Sequence, residues 1–316
     1  MKLTLAYQVY NKEKWIKSLL ESWLDNLSGN NEYEVIIVFD DCKDNSPKIV
    51  EKVLQGRKLD YQFLYADDEF EIYCNDMAFK QATGDFIIFI QDDNWMYDKN
   101  WDDTLVQIIS KVEKVGAVGL LAGLEMKRSK GIKYQRIEVN RPHKGENFQV
   151  KEDFDLAVWS VDSINRPFGI FTNLLREIGG LDFAFRPTCG DDLDLSLKLL
   201  KKGYINIYIP FDVKNLVASN STMNPDFIRN TYIQAFKLNQ DRHGDFLRRR
   251  LGTNLSELFL LEDQSGVLHL GKPKYPKAYR LRMRLAKAVL PIDYFCAWEK
   301  VRSIPGKIFS VGKKYF

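Results

Sequence analysis

Three short clusters of acidic residues are the first candidates for chemistry in this 316-residue sequence. They occupy residues 40–44, 91–94 and 190–194. Carboxylates of the first cluster could accept hydrogen bonds from a base or a ribose. The hard oxygen ligands of the second suit Mg²⁺ or Mn²⁺ holding a diphosphate. A carboxylate of the third that faces a pocket could act as a general base toward a hydroxyl group.

Each cluster also has an ordinary structural interpretation. Asp and Asn dominate strand-to-helix turns and helix N-caps, which accounts for residues 40–44 and 91–94 taken singly. The helix dipole favours carboxylates at a helix N-terminus, as at residues 190–194, although three acids in four residues exceed what capping needs. Two clusters on two strands of one sheet shift the interpretation toward a nucleotide-diphosphate site.

The clusters lie among segments that alternate between strand and helix patterns. Apolar runs predict buried strands at residues 3–9, 35–39, 61–65, 86–90, 117–121 and 204–209. Helices are predicted at residues 11–27, 72–81, 101–115, 191–200, 225–238 and 245–261, with another beginning near residue 46. This alternation predicts an α/β fold with a mostly parallel, doubly wound central sheet flanked by helices. Ligands of such sheets bind beyond the carboxyl ends of the strands, where the first two clusters stand.

The composition favours some protein classes over others. Hydrophobic residues make up 45% and charged residues 28%, which suits a folded globular protein. A net charge of +3 gives no reason to expect nucleic acid as a partner. Four cysteines without a Cys-x-x-Cys pair, and only three histidines, argue against structural zinc and favour a reducing compartment. Without a signal peptide or roughly 18 consecutive apolar residues, the expected location is the cytoplasm.

The charge is unevenly distributed along the chain. Residues 272–316 contain 12 Lys and Arg residues but only two acidic ones, Asp293 and Glu299. Leu281 and Leu285 share a helical face that basic residues flank, which is typical of an amphipathic helix on an anionic membrane surface. A helix packed on the acidic body and an oligomer contact remain alternatives. We therefore expect a basic, helical C-terminal extension over residues 246–316, and peripheral membrane association.

Taken in order, the motifs also resemble a known family. They lie at residues 10–12, 38–44, 75, 82–87, 91–93, 179–182 and 190–198. In this order and spacing they resemble the family 2 glycosyltransferases of the GT-A fold, and the resemblance covers about residues 1–210. It implies an inverting glycosyltransferase with a Rossmann-like domain over residues 1–245. Its nucleotide-binding half would be residues 1–100 and its acceptor half residues 101–245.

The resemblance implies a donor site that five residues form together with Asp92. Asp41 resembles the acid that binds the donor base, with Asp40 and Asp44 beside it. Tyr10 resembles the aromatic residue that ends the first strand near the base, and Asn75 is assigned to the same site. The implied donor is a nucleotide-diphosphate sugar, and a UDP-sugar is the first choice.

The resemblance also implies a metal ligand and a catalytic pair. Asp93 resembles the acid that directly binds the divalent metal, Mn²⁺ or Mg²⁺, and Asp92 its companion near the ribose or diphosphate. Asp192 resembles the general base, and Asp191 stands where Glu is usual. The implied acceptor is a saccharide or a lipid-linked saccharide, in cell-surface polysaccharide or glycan synthesis.

Two departures from the family pattern keep rival functions open. Gln91 replaces the first acid of the metal motif, and Phe183 replaces a Glu on the acceptor side. Both favour a catalytically degenerate nucleotide-sugar or saccharide-binding protein, against which the Asp191–Asp192 pair counts. A nucleotidyltransferase would need a Gly-rich loop after the first strand, and residues 8–12 contain no glycine.

Overall fold

The structure, a computed structural model, describes most but not all of the chain. The described residues are 1–129, 131–137, 156–215, most positions between 231 and 246, 258–261 and 268–271. Among residues 125–137, 156–157, 258–261 and 268–271, the backbone pairing is described and the side chains are not. The basic segment 272–316, with its predicted amphipathic helix, lies outside the described residues.

The first part of the chain alternates strands and helices, as predicted. Its elements are β1 (Lys2–Val9), α1 (Ile16–Leu24), β2 (Glu32–Asp40), α2 (Ser46–Leu54), β3 (Asp60–Ala66), α3 (Phe70–Gln81), β4 (Phe86–Ile90), β5 (Asn94–Met96), α4 (Trp101–Lys111) and β6 (Val115–Gly119). The acidic clusters 40–44 and 91–94 follow β2 and β4 directly.

The second part is richer in strands than the sequence pattern predicts. Its elements are β7 (Gly123–Ser129), β8 (Gly131–Ile137), β9 (Leu156–Val161), β10 (Ser163–Ile164), β11 (Phe168–Phe171), α5 (Thr172–Glu177), a 3₁₀ turn (Phe183–Phe185), α6 (Asp191–Lys201), β12 (Ile205–Tyr208), β13 (Val213–Asn215), β14 (Leu258–Leu261) and β15 (Leu268–Gly271). The described residues between 231 and 246 are helical.

The central sheet has ten described strands in the order β15-β14-β9-β12-β6-β11-β4-β1-β2-β3. Strands β3, β2, β1 and β4 are mutually parallel, with Leu5 opposite both Val35 and Ile88. Strand β11 runs antiparallel between β4 and β6, and β12 is again parallel to β6. Most strands therefore point the same way, which confirms the predicted mostly parallel sheet and brings the carboxyl ends of β2 and β4 to one edge.

Helices cover both faces of the sheet, because its inner strands are apolar on both sides. Leu5 and Tyr7 of β1 belong to the cluster on the α1, α2 and α4 face, whereas Ala6 belongs to the α3 and α6 face. On the first face Trp23 and Trp101 pack edge to face, with their ring centroids 5.1 Å apart. The sheet is thus the rigid middle layer of three.

Two sequence predictions need correction or remain open. The predicted helix over residues 245–261 is wrong at 258–261, which form β14 and pair with β9. Helical spacing of leucines and a strand pattern are hard to separate in so short an apolar run. The predicted boundary near residue 245 stays a prediction, although β14 and β15 beyond it join the central sheet. No described helix has the length and apolar character needed to cross a membrane.

Gly169 is the tightest glycine position of the sheet. In β11 it lies opposite Ile88, and a Cβ there would come within 2.2 Å of the Phe86 ring. We expect Gly169→Ala to lower the free energy of unfolding by about 1–3 kcal/mol, because the buried ring has to shift. Chemical denaturation measures this. Gly244→Ala is the matched control, since a Cβ added there would have no neighbour within 4 Å and no loss is expected. Equal stability of the two variants would contradict the packing described here.

Candidate functional site

Asp40, at the end of β2, binds the N-terminus of α3. Its Oδ1 accepts a hydrogen bond from the Glu69 N–H at 2.8 Å and its Oδ2 one from the Phe70 N–H at 2.9 Å. The residue is only 2% exposed. A buried carboxylate at a helix N-terminus satisfies backbone donors and complements the helix dipole. Asp40 therefore joins the first acidic cluster to the start of α3.

Asp41 is the member of this cluster that turns outward. Its backbone is left-handed, with φ of 48°, and its N–H donates to the Ala66 carbonyl at 2.9 Å. Its carboxylate is 36% exposed and forms an ion pair with the exposed Lys43. A carboxylate held at a fixed backbone position and open to solvent can accept hydrogen bonds from a ligand.

Asp44 is engaged with the backbone on its other side. Its oxygens accept hydrogen bonds from the Glu13 N–H at 2.9 Å and the Ser46 N–H at 3.0 Å. Partial burial opposes ionisation, but hydrogen bonds from Ser46 and Glu13 outweigh it and hold the pKa of Asp44 below its usual value. Asp44 thereby ties the loop after β1 to the start of α2.

The loop after β1 brings the first and second acidic clusters together. The Tyr10 N–H donates to Asp92 Oδ2 at 2.9 Å, and Asn11 Oδ1 accepts from the Lys43 N–H at 2.8 Å. Burial raises the pKa of the nearby Cys42 thiol to about 11, and the negative charges of Asp44, Asp92 and Asp40 add to the shift. The loop after β1 thus contacts both clusters at the same edge of the sheet.

In the second cluster Asp92 contacts Lys12, and its neighbour Asp93 contacts Asn94. Asp92 Oδ1 lies 3.6 Å from Lys12 Nζ. Burial raises the pKa of Asp92 to about 7, although Lys12 and the Tyr10 N–H oppose the shift. Asp93 Oδ1 accepts a hydrogen bond from Asn94 Nδ2 at 2.9 Å. The Asn94 backbone is in turn anchored to Trp23, whose Nε1 donates to its carbonyl at 2.8 Å.

Glu71 and Arg166 link the second cluster to the third, and sequence reasoning missed both. Glu71 Oε1 accepts a hydrogen bond from Gln91 Nε2 at 2.7 Å and lies 3.1 Å from Arg166 Nε. The guanidinium of Arg166 also pairs with both oxygens of Asp191. Glu71 ends an acidic run after β3, and this run could have indicated a further candidate for the site. Nothing in the pattern around Arg166 pointed to a site.

The acids of the third cluster have three different environments at the start of α6. Asp191 is 2% exposed and paired with Arg166. Asp194 is equally buried, 2.8 Å from His243 Nε2 and 2.7 Å from Lys198 Nζ. Asp192 alone among the three is partly exposed, and its Oδ1 accepts from the Leu193 N–H at 2.8 Å. Asp192 is therefore the least buried acid of this cluster.

The pKa of Asp192 suits proton transfer near neutral pH. Burial raises it to about 7, the charge of Asp191 adds to the shift and Arg166 opposes it. A general base is most effective when its pKa lies near the working pH. The remaining predicted residue, Asn75, is buried in α3 at 4% exposure, on the helix that Asp40 caps.

A divalent metal would need ligands beyond the protein. Among the described residues, no three His, Cys, Asp or Glu side chains form a ready metal cluster. Asp92 and Asp93 stand together at the end of β4, and Asp92 is already bound to Tyr10 and Lys12. Mg²⁺ is usually held by one or two carboxylates together with substrate phosphates. The residues therefore fit a metal whose coordination a diphosphate completes.

Comparison with known proteins gives one family and one fold. A family model described as Glycosyl transferase family 2 matches residues 8–178. The poly(ribitol-phosphate) beta-N-acetylglucosaminyltransferase TarS of Staphylococcus aureus is 30% identical over 103 residues, 33% of this chain and 18% of that protein. The match thus spans less than a fifth of this relative's length.

Two solved structures resemble the chain in fold. GalNAc-T7 with UDP, GalNAc and Mn²⁺ has a TM-score of 0.60 at 14% identity, over 78% of this chain and 49% of that one. The mannosyltransferase PcManGT from Pyrobaculum calidifontis, in complex with GDP-Man and Mn²⁺, has a TM-score of 0.56 at 17% identity, over 79% and 68%. At these identities the likeness shows the shared GT-A fold.

The different environments of Asp40 and Asp41 predict that the same substitution destabilises the protein at one position and has little effect at the other. Asp40→Asn should lower the free energy of unfolding by about 1–3 kcal/mol, because one buried N–H of the α3 cap then meets an amide donor. Asp41→Asn, the matched control, should change it by no more than about 0.5 kcal/mol, since an exposed ion pair contributes little. Urea denaturation measures both. If Asp41→Asn proves the more destabilising, the assignment of Asp40 as the cap is wrong.

Proposed function

The chain belongs to glycosyl transferase family 2, and we propose that it is an inverting glycosyltransferase using a nucleotide-diphosphate sugar. The observation that carries the proposal is a series of contacts in which Asp40 binds the N-terminus of α3, and Glu71 in the first turn of that helix contacts Gln91 and Arg166, which pairs with Asp191. These contacts link all three acidic clusters. A donor-binding edge and a partly exposed carboxylate of suitable pKa thus belong to one arrangement.

In the proposed reaction Asp192 is the general base. It takes the proton of an acceptor hydroxyl as the oxygen attacks the anomeric carbon. The bond from that carbon to the diphosphate oxygen breaks, and the nucleoside diphosphate leaves with the bonding electrons. Attack from the face opposite the leaving group inverts the anomeric carbon, so no covalent enzyme intermediate is required. Asp191, paired with Arg166, is assigned a supporting role in this step.

The donor is proposed to bind at the ends of β2 and β4. Asp41 is assigned to the base, with Tyr10 and Asp44 beside it, and Asp92 to the ribose or diphosphate. Asp40 and Asn75 are assigned to the same site, and the buried cap made by Asp40 supports an indirect role for it. UDP-N-acetylglucosamine is our first candidate, because the curated relative TarS is named an N-acetylglucosaminyltransferase.

A divalent cation is proposed as cofactor, with Asp93 as its protein ligand. When bound, Mn²⁺ or Mg²⁺ would offset the negative charge that develops on the leaving diphosphate. Gln91, where the family pattern has an acid, donates from its amide nitrogen to Glu71 at 2.7 Å. Lys12, near Asp92, adds a fixed positive charge at the same edge.

The acceptor is proposed to be a saccharide or a lipid-linked saccharide of a cell-surface glycan. The name of TarS adds a poly(ribitol-phosphate) chain to the classes worth testing. Contact with an anionic membrane through residues 272–316 remains a proposal from charge alone. The alternative function is that of a nucleotide-sugar or saccharide-binding protein that has the same fold but no catalytic activity. A measurement of sugar transfer distinguishes the enzyme from the binding protein.

Asp192→Asn should remove the base and leave the donor site intact. We expect UDP release from UDP-N-acetylglucosamine to fall by about 10²–10⁴-fold, with the affinity for UDP unchanged in calorimetry. Because Asp192 must be ionised to accept a proton, wild-type turnover should rise with pH through about 7. Asp41→Asn should behave differently: UDP should bind more weakly, and turnover should keep the pH dependence of the wild-type protein. Full turnover in Asp192→Asn would refute the base assignment.

Asp93→Ala should uncouple nucleotide binding from metal. In wild-type protein Mn²⁺ should strengthen UDP binding, since a cation held by Asp93 would offset the negative charge of the diphosphate. In Asp93→Ala the affinity should be the same with Mn²⁺ as with a chelator present. Isothermal titration of UDP under the two conditions measures the difference, and the metal-free titration is the internal control. An equal Mn²⁺ effect in both proteins would exclude Asp93 as the ligand.

A further inference from the structure

Arg166 is a buried cation placed between two acidic side chains from different elements. It lies between β10 and β11, and its side chain is 6% exposed. Its Nε is 3.1 Å from Glu71 Oε1, and its two terminal nitrogens pair with the two oxygens of Asp191. The guanidinium carbon also lies 5.4 Å from the centroid of the Phe168 ring. A planar fork engaged on three sides has little freedom to move.

The Arg166 contacts fix the first turn of α6. Asp191 is the first residue of this helix, and its carboxylate is 1% exposed. Glu71 is itself held from two directions, by Gln91 at 2.7 Å and by the Thr188 hydroxyl at 2.7 Å. Asp192 follows Asp191 directly, so the pairing that fixes Asp191 also fixes the backbone from which Asp192 projects. A bidentate pair holds geometry that a single contact would not.

We propose that Arg166 is a positioning residue that holds the start of α6, and with it Asp192, in place by pairing with the carboxylates of Asp191 and Glu71. The charged groups that act on Asp192 are Asp191 on its own helix, Glu71 from α3 and Arg166 from the segment before β11. Two of the three are anionic, and Arg166 offsets them. The inference rests on the proposed function only for calling Asp192 the base.

The sign of each substitution follows from this charge arrangement. Removing Arg166 leaves Asp192 beside two anions, so its titration should move to higher pH. Removing the charge of Asp191 should move it to lower pH, because a like charge disappears. An opposite charge beside an Asp lowers its pKa by about 1–3 units, and a nearby like charge raises it. A residue that only maintained the fold would change stability without these opposite shifts.

The test follows the Asp192 carboxyl signal by NMR in protein labelled with ¹³C on aspartate, and it needs no substrate. The signal is assigned by its loss in Asp192→Asn. We expect a midpoint near pH 7 in wild type, at least about one unit higher in Arg166→Gln and lower in Asp191→Asn. Arg166→Lys should stay near wild type, since the charge remains. The double variant Arg166→Gln/Asp191→Asn should also return toward wild type, because one charge of each sign is removed.

Unchanged midpoints in Arg166→Gln and Asp191→Asn would overturn the inference. If Arg166→Gln does not fold, the double variant compared with Asp191→Asn decides, because its midpoint should be the higher of the two, whereas a loss of structure would lower it. The pH profile of UDP release from UDP-N-acetylglucosamine then separates the two proposals. One outcome is that the Asp192 titration midpoints move in the variants while the pH dependence of UDP release on the acid side does not change. That outcome would support the role of Arg166. It would exclude Asp192 as the base, and the proposed mechanism would fail with it.

Discussion

Mutual repulsion of buried carboxylates is the constraint on which the whole arrangement depends. Asp40 and Asp191 are buried, the side chain of Asp92 is 18% exposed, and Asp41, Asp93 and Asp192 lie next to them in the chain. Like charges this close destabilise one another unless donors or cations offset them. The negative charge of each of these three carboxylates is offset by donors or cations in contact with it. Backbone N–H groups bind Asp40, the Tyr10 N–H and Lys12 face Asp92, and Arg166 pairs with Asp191.

Several of the contacts that offset these negative charges lie at the N-terminus of α3. Asp40 caps the helix from the end of β2, and Glu71 in its first turn binds both Gln91 and Arg166. Because α3 packs on the sheet through buried residues such as Ile72 and Ala78, its position is fixed by the core. The distances between the three clusters are therefore set by packing. In the first and third clusters a buried acid, Asp40 or Asp191, is followed in the chain by a partly exposed one, Asp41 or Asp192.

The sequence predicted the sheet better than it predicted the contacts within the site. Strands β1, β2 and β4 were recognisable as short apolar runs, because an inner parallel strand is buried on both faces. Strand β11 runs antiparallel in the middle of the sheet, and neither its direction nor the pairing of β14 with β9 is encoded in a local pattern. Such pairings depend on residues far apart in the chain.

The same limit explains what was missed around the acids. The three clusters could be found from composition and spacing, but Asp40 and Asp41 look alike in sequence and differ only in what they contact. Glu71 and Arg166 are 95 positions apart, and their ion pair exists only once α3 and β11 are in place. A lone Arg before a Pro carries no local signal. Partners of a buried charge therefore have to be read from the fold.

The central claim is that the three acidic clusters form one site for a nucleotide sugar. A crystal structure of the full chain with UDP and Mn²⁺ tests it most directly. The account predicts one UDP whose base lies against Asp41 and whose diphosphate and metal lie at Asp93, with Asp192 facing the same cleft. Nucleotide bound at another surface, or Asp192 turned away from it, would contradict the account.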